Sequence, residues 1–132
     1  MQDLIAQLRR HGIQATPQRL AVAKLVLATR AHPAADEVWA AVRRTSPTIS
    51  RATVYNTLNL LVERGLLRSQ ILRGGTVVFD PLLKPHHHLI DEETGKIHDV
   101  PWEAVRVSGH RSLADFEVRE HQVVMRGRRR KR

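Results

Sequence analysis

The sixteen residues from Ser50 to Gly65, Ser-Arg-Ala-Thr-Val-Tyr-Asn-Thr-Leu-Asn-Leu-Leu-Val-Glu-Arg-Gly, constrain the chain most. They carry a helix start, an apolar period and a helix stop in one run. Ser50 is a capping residue, Val54, Leu58, Leu61 and Val62 recur at helical spacing, and Gly65 suits the left-handed conformation that ends helices. One face is therefore committed to a core. The opposite stripe of Arg51, Tyr55 and Asn59, with Asn56 beside it, carries donors and acceptors of the kinds that read major-groove edges and phosphates. A polar stripe is ordinarily just solvated surface, so its meaning depends on its surroundings.

Upstream, Leu4, Ile5 and Leu8 supply an apolar face that stops at Gly12. Thr16-Pro17 then offers a capping hydroxyl and a proline at the first helical position. In that second helix Leu20, Lys24 and Leu27 share a face, with Ala23 beside them, and the pattern ends before His32-Pro33. A third helix starts near Pro33 and buries Val38 and Val42, with Trp39 at its edge. Downstream, Leu66 to Leu72 and Thr76 to Phe79 flank Arg73-Gly74-Gly75, which reads as a two-stranded hairpin with a basic tip. Helices followed by such a hairpin are the plan of a winged helix. The candidate DNA contacts are Arg19, Arg51, Thr53, Tyr55, Asn56, Asn59 and Arg73.

Charge supports the division. The net charge of +9 is segregated: residues 1–75 are basic, residues 76–125 are acidic, and the last seven contain six Arg or Lys. A basic module suits a polyanion, whereas clustered carboxylates and imidazoles suit a cation. The chain has no cysteine, which excludes disulfides, thiolate zinc sites and a cysteine nucleophile. No apolar run approaches the length needed to cross a bilayer, so the expected location is the cytoplasm and no membrane partner is expected.

The second half is organised around His86-His87-His88-Leu89-Ile90-Asp91, a Thr94-Gly95 turn and Lys96-Ile97-His98-Asp99. In an extended strand His86 and His88 share a face while His87 points to the other. Asp80 lies just ahead, Asp99 sits on the strand that folds back, and His32 comes from the inter-helix corner. The candidate metal ligands are thus His32, Asp80, His86, His88 and Asp99. Five nitrogen and oxygen donors without sulfur suit Fe(II), Mn(II), Co(II) or Zn(II), with Fe(II) or Mn(II) favoured. Imidazoles also ligate haem, so haem stays open, and His87, facing away, is left for another partner. An ion held from both halves would set the angle between them and so couple ligand binding to DNA binding. Farther on, Trp102, Val105 and Val107 fit a short packed element, and Phe116 through Met125 reads as a strand suited to pairing across a two-fold axis.

Other classes weigh less. A metallohydrolase needs a general acid or base and an enclosed substrate pocket, and the sequence offers neither clearly. A metal-binding protein-interaction module explains the histidines but not the basic first half.

The ordered motifs Thr16-Pro17-Gln18-Arg19, Ala31-His32-Pro33-Ala34-Ala35-Asp36-Glu37-Val38, Ser50 to Leu58 with Glu63-Arg64-Gly65-Leu66, and Val78-Phe79-Asp80 followed by His86 to Ile90 resemble the ferric uptake regulator superfamily. The resemblance implies a homodimeric, metal-responsive transcription factor of α/β class, with a winged helix-turn-helix domain over residues 1–79. A small α/β dimerisation and metal- or haem-sensing domain, ending in a basic tail, follows over residues 80–132. By that resemblance the five candidate ligands fall on the regulatory site, Tyr55 on the recognition-helix tyrosine, and His121 on a ligand of an additional site, which with His87 is the candidate second metal or haem site. Asp91 and Thr94 stand where many members carry a Cys-x-x-Cys pair, so the cysteine-ligated structural zinc site is absent. The triple histidine without flanking cysteines and the closing Val123-Val124-Met125-Arg126 with its basic tail are most similar to the iron response regulator branch, which implies control of iron and haem genes. The peroxide-sensing branch, with its oxidative-stress genes, uses the same type of site and is the alternative.

Overall fold

The computed structural model describes residues 1–109 and 113–131, and for Arg73 the backbone alone. The chain divides into two compact units, Met1–Leu83 and Lys84–Arg132.

The first unit contains helices α1 (Gln2–Arg10), α2 (Pro17–Val26), α3 (Ala35–Val42) and α4 (Arg51–Glu63), then strands β1 (Arg68–Arg73) and β2 (Thr76–Asp80). Local chemistry sets the helix starts. Thr16 Oγ1 accepts the Arg19 amide at 3.3 Å ahead of Pro17, and Ser50 Oγ accepts the Thr53 amide at 3.1 Å, each satisfying a donor that the first turn leaves open. At α3 the N-cap position is Ala34, which has no side-chain acceptor. Glu37 compensates from inside the helix by accepting the Ala34 amide at 3.0 Å.

Helices this short are marginal alone and depend on packing. Leu8, Val22, Val26, Val38, Val54 and Leu58 are fully covered, and Phe79 from β2 joins them. Each such side chain contributes about 1.5–3 kcal/mol relative to exposure. In α2 the fully buried residues are Val22, Ala23 and Val26; of the face expected from periodicity, Ala23 is among them and Leu20 and Leu27 pack against the core only in part. That helix is apolar on nearly every side, so spacing could not choose the inward face, and Lys24 is exposed.

Strands β1 and β2 pair antiparallel, with Gln70 opposite Val78 and Ile71 opposite Val77. Gly74 and Gly75 both have positive φ, 54° and 87°, which a tight hairpin link of this hand requires and which side chains resist. Four helices and a β-hairpin give the winged helix-turn-helix plan.

The second unit has a three-stranded sheet in the order β4 (Ile97–Val100), β3 (His87–Asp91), β5 (Val124–Gly127). β4 runs antiparallel to β3 with His88 opposite Asp99, and β5 runs parallel to β3 with His88 opposite Val124. The β3–β4 turn is tied by Asp91, whose Oδ1 accepts the amides of Glu93 at 2.9 Å and Thr94 at 3.4 Å. These bonds hold the Asp91 carboxyl below the usual carboxylate range, the Glu93 amide contributing most. A 3₁₀ turn spans Trp102–Ala104. With the helices in the first unit and this sheet in the second, the chain is of α/β class.

Of the strand expected over Phe116 to Met125, the ladder within the described chain includes only Val124 and Met125, in a strand that runs Val124–Gly127. Phe116 is 80% exposed, so the upstream residues lack the burial that would hold an extended segment. β5 also finds a partner within its own chain, the edge of β3. No described helix is long and apolar enough to cross a membrane.

Candidate functional site

His32 occupies the corner between α2 and α3 with φ at +50°, in the left-handed region that non-glycine residues seldom enter. Two contacts hold this corner against the wing: the Phe79 amide donates to the Pro33 carbonyl at 2.9 Å, and Ala34 bridges to Val78. The result places His32 Nε2 3.2 Å from Asp80 Oδ2, with both residues buried. Asp80 divides its oxygens, Oδ1 accepting the Leu82 amide at 2.9 Å.

In the second unit three further donors converge. The antiparallel register sets His88 against Asp99, and His86, just ahead of β3, lies on the same side. His86 Nε2 lies 3.4 Å and His88 Nε2 3.8 Å from Asp99 Oδ1, with the two imidazoles 4.5 Å apart edge to face. Donors each about 2.0–2.2 Å from a shared ion are separated by roughly 3–3.5 Å; the His86 distance falls in that range and the His88 distance is a few tenths of an ångström longer. His86 is also prepared electronically: its Nδ1–H donates to the Lys84 carbonyl at 2.7 Å. That bond leaves the Nε2 lone pair toward Asp99, the backing that ligating histidines ordinarily have.

His87 is treated oppositely. Its Nδ1 accepts the Val123 amide at 2.9 Å, so the proton sits on Nε2, which donates to the Trp102 carbonyl at 3.2 Å. Both ring nitrogens are thus engaged by backbone. The ring stacks on Trp102 at 4.7 Å, and the same indole meets His121 at 4.7 Å. For the second site expected at His87 and His121, the structure offers a packed aromatic group around Trp102, with no lone pair of His87 left for an ion. The indole's part was missed in the sequence.

The expected DNA contacts divide between two clefts flanking α4. Arg19, Thr53 and Asn56 line one of about 310 Å³ with Thr16 and Gln18, and Arg19 Nη1 donates to the Gln14 carbonyl at 3.0 Å. Tyr55 and Asn59 line another of about 360 Å³ with Thr76 and Val77 of the wing. Arg51 Nε lies 3.4 Å from Asp36 Oδ1, and its guanidinium lies 4.7 Å from the Trp39 ring centre, where Arg43 also sits at 3.9 Å. The Tyr55 hydroxyl donates to Asp36 Oδ1 at 3.1 Å, and this bond raises the Tyr55 pKa. The Arg73 side chain lies outside the described residues. Asp36, Trp39 and Arg43 were not singled out as contacts by sequence reasoning. Their signal was an i, i+3, i+7 stripe on α3, but the partners lie on another helix.

Comparison with known proteins places this architecture. The chain is 34% identical over 131 residues to the peroxide-responsive repressor PerR of Staphylococcus aureus (strain Mu50 / ATCC 700699), covering 96% of this chain and 87% of that protein. It is 34% identical over the same length to PerR of Staphylococcus saprophyticus. Among solved structures, the Campylobacter jejuni peroxide stress regulator superposes with a TM-score of 0.68 at 28% identity, covering 97% of each chain. The Pseudomonas aeruginosa ferric uptake regulator shares the fold, with a TM-score of 0.70 at 24% identity over 97% of this chain and 98% of that one. The Ferric uptake regulator family profile matches residues 10–126; the chain belongs to that family.

Proposed function

We propose that this family member is an iron-responsive DNA-binding repressor whose regulatory ion is Fe(II) or Mn(II), acting as a homodimer on iron, haem or oxidative-stress genes. Family membership makes it a metal-responsive transcriptional regulator and not an enzyme. The observation that carries the metal reading is the convergence of His86, His88 and Asp99, with His86 Nδ1 donated to the Lys84 carbonyl. The proposed ligand set is these three together with His32 and Asp80. His86, His88 and Asp99 already make a two-histidine, one-carboxylate set with open positions, and His32 and Asp80 would complete five nitrogen and oxygen donors, which suit a divalent first-row ion. When bound, the ion supplies positive charge that neutralises the two carboxylates. His86 then presents a fixed tautomer, Asp99 orients the facing strand, and His32 and Asp80 bring the corner ahead of α3 under the same control. The proposed DNA contacts are Arg19, Arg51, Thr53, Tyr55, Asn56, Asn59 and Arg73, with α4 as the reading helix; an exposed polar stripe flanked by two clefts supports this.

The test begins with enrichment of duplexes from a random pool, followed by anaerobic titration of the enriched operator with protein free of metal or loaded with Mn(II), Fe(II), Zn(II) or haem. Mn(II) and Fe(II) should shift operator affinity about fivefold or more. Equal affinity under all conditions contradicts the metal reading, and a response to haem alone moves the effector from the ion to haem.

A second reading, peroxide sensing, is supported by similarity to peroxide-responsive repressors. Iron-loaded protein treated with peroxide should gain an oxygen atom on a site histidine, detectable by peptide mass spectrometry, and leave its operator. An unmodified, DNA-bound protein would reject that reading.

A further inference from the structure

Asp36 sits in the first turn of α3 and meets two α4 side chains at a single oxygen, accepting a hydrogen bond from Tyr55 and pairing with the charge of Arg51. The Tyr55 hydroxyl lies at 3.1 Å and the Arg51 Nε–H group at 3.4 Å. Trp39, three residues on, backs the Arg51 guanidinium and is anchored by its own Nε1–H donating to the Ile49 carbonyl at 3.1 Å. These contacts leave defined capacity unspent. A tyrosine hydroxyl has one proton and its lone pairs; with the proton on a carboxylate, in the stronger charge-assisted kind of bond, only acceptor capacity faces outward. Arginine has five N–H groups in a fork; the ion pair with Asp36 is made at Nε, and both terminal nitrogens remain as donors.

The chemistry of the major groove makes that polarity matter. An acceptor-only hydroxyl matches the exocyclic amino groups of adenine N6 and cytosine N4 and mismatches guanine O6 and N7, thymine O4 and every phosphate oxygen. A hydroxyl free to rotate satisfies either class and discriminates less. We propose that Asp36 is a specificity-determining positioning residue: by holding the Tyr55 hydroxyl proton and pairing with the Arg51 guanidinium, it fixes Tyr55 as an acceptor for adenine or cytosine amino groups and keeps Arg51 beside it with its terminal nitrogens as donors. The inference rests on the proposed role of α4 as the DNA-reading helix. Asp36 need not touch DNA. Its side chain and that of Arg51 are both 60% exposed, so replacing Asp36 removes no core packing.

The experiment is duplex enrichment by the full chain in its metal-responsive state, followed by affinity measurement for the enriched and a random duplex. Asp36→Ala should bind random duplex at least as well as the original protein, since a negative charge has left the helix surface, yet lose about tenfold in the ratio of specific to random affinity. Asp36→Asn keeps an oxygen that accepts the Tyr55 proton and should retain most of that ratio. Tyr55→Phe should lose selectivity as Asp36→Ala does, and the double variant Asp36→Ala/Tyr55→Phe should lose little more, because both changes remove the same contact. A structural role alone would lower specific and random affinity together, alongside a lowered melting temperature, and would overturn the proposal. So would a folded Asp36→Ala protein that enriches the same sequence with the same ratio. Failure of the original protein to enrich any sequence rejects the DNA-reading role of α4 and this inference with it, whereas enrichment unchanged by Asp36→Ala rejects this inference alone.

Discussion

Fifteen buried apolar side chains, from Leu8 to Phe79, make up the core of the first unit, whereas the buried residues described in the second are His86, His87, His88, Ile90, Asp91 and Ile97. Hydrocarbon burial is additive and undirected, so the first unit can hold an open polar surface on α4 without needing any one contact. In the second, two isoleucines cannot supply comparable burial, and four of the six buried residues carry polar groups that require partners. Loss of one contact there leaves its counterpart stranded. The two units therefore fail in different ways: the first by loss of packing, the second by loss of hydrogen-bond satisfaction.

The largest expected effect is in the first unit. Leu58 is fully buried at the centre of α4, and Leu58→Ala should cost about 2–5 kcal/mol, the transfer term plus the cavity. Denaturant unfolding followed by helix circular dichroism measures it, and a cost near zero would mean that the core is not what holds these helices. In the second unit His87→Ala strands the Val123 amide and the Trp102 carbonyl. Both bonds are only part-buried, so water offsets part of the loss, and the two together cost about 1–3 kcal/mol. Hydrogen exchange at β3 and β5 should accelerate while exchange in α2 and α4 stays as it was; unchanged protection of β3 would break the contrast.

The smallest effect is at the β3–β4 turn. Because the folded Asp91 carboxyl is held below its ordinary value, its stabilisation is fully present above the unfolded pKa, about 3.9. It is lost as pH falls through the lowered folded value. Asp91→Ala should therefore be less stable than the original at neutral pH, by less than His87→Ala, and the gap should narrow as pH drops below about 4. A gap that is constant into acid would remove the carboxylate from the account.

Where a signal was local, it was legible. Thr16-Pro17 and Ser50 name their own helix starts, and Gly74-Gly75 names the hairpin link, because these residues act within a turn of themselves. The strand period also separated His86 and His88 from His87. Tertiary contacts were not legible: the Asp36–Tyr55 bond spans 19 positions, and the Val123 amide reaches His87 across 36. The inward face of α2 was hidden by its surplus of apolar residues. The extent of β5 was overread because apolar alternation around Phe116 implied a ladder that the backbone does not make. His32's left-handed backbone stands next to the Pro33 and Ala34 contacts with β2, an interaction the sequence around His32 does not announce.

The central claim is that the imidazoles divide by chemistry, His86 and His88 as ligands and His87 as a packed, hydrogen-bonded support. Mn(II) dependence of operator affinity, measured for the original chain, His86→Ala and His87→Gln, tests it most directly. The account predicts a shift of about fivefold or more with Mn(II) for the original chain, no shift for His86→Ala, and a retained shift for His87→Gln at a temperature where that variant remains folded. A full Mn(II) response in folded His86→Ala, or its loss in folded His87→Gln, would contradict the division.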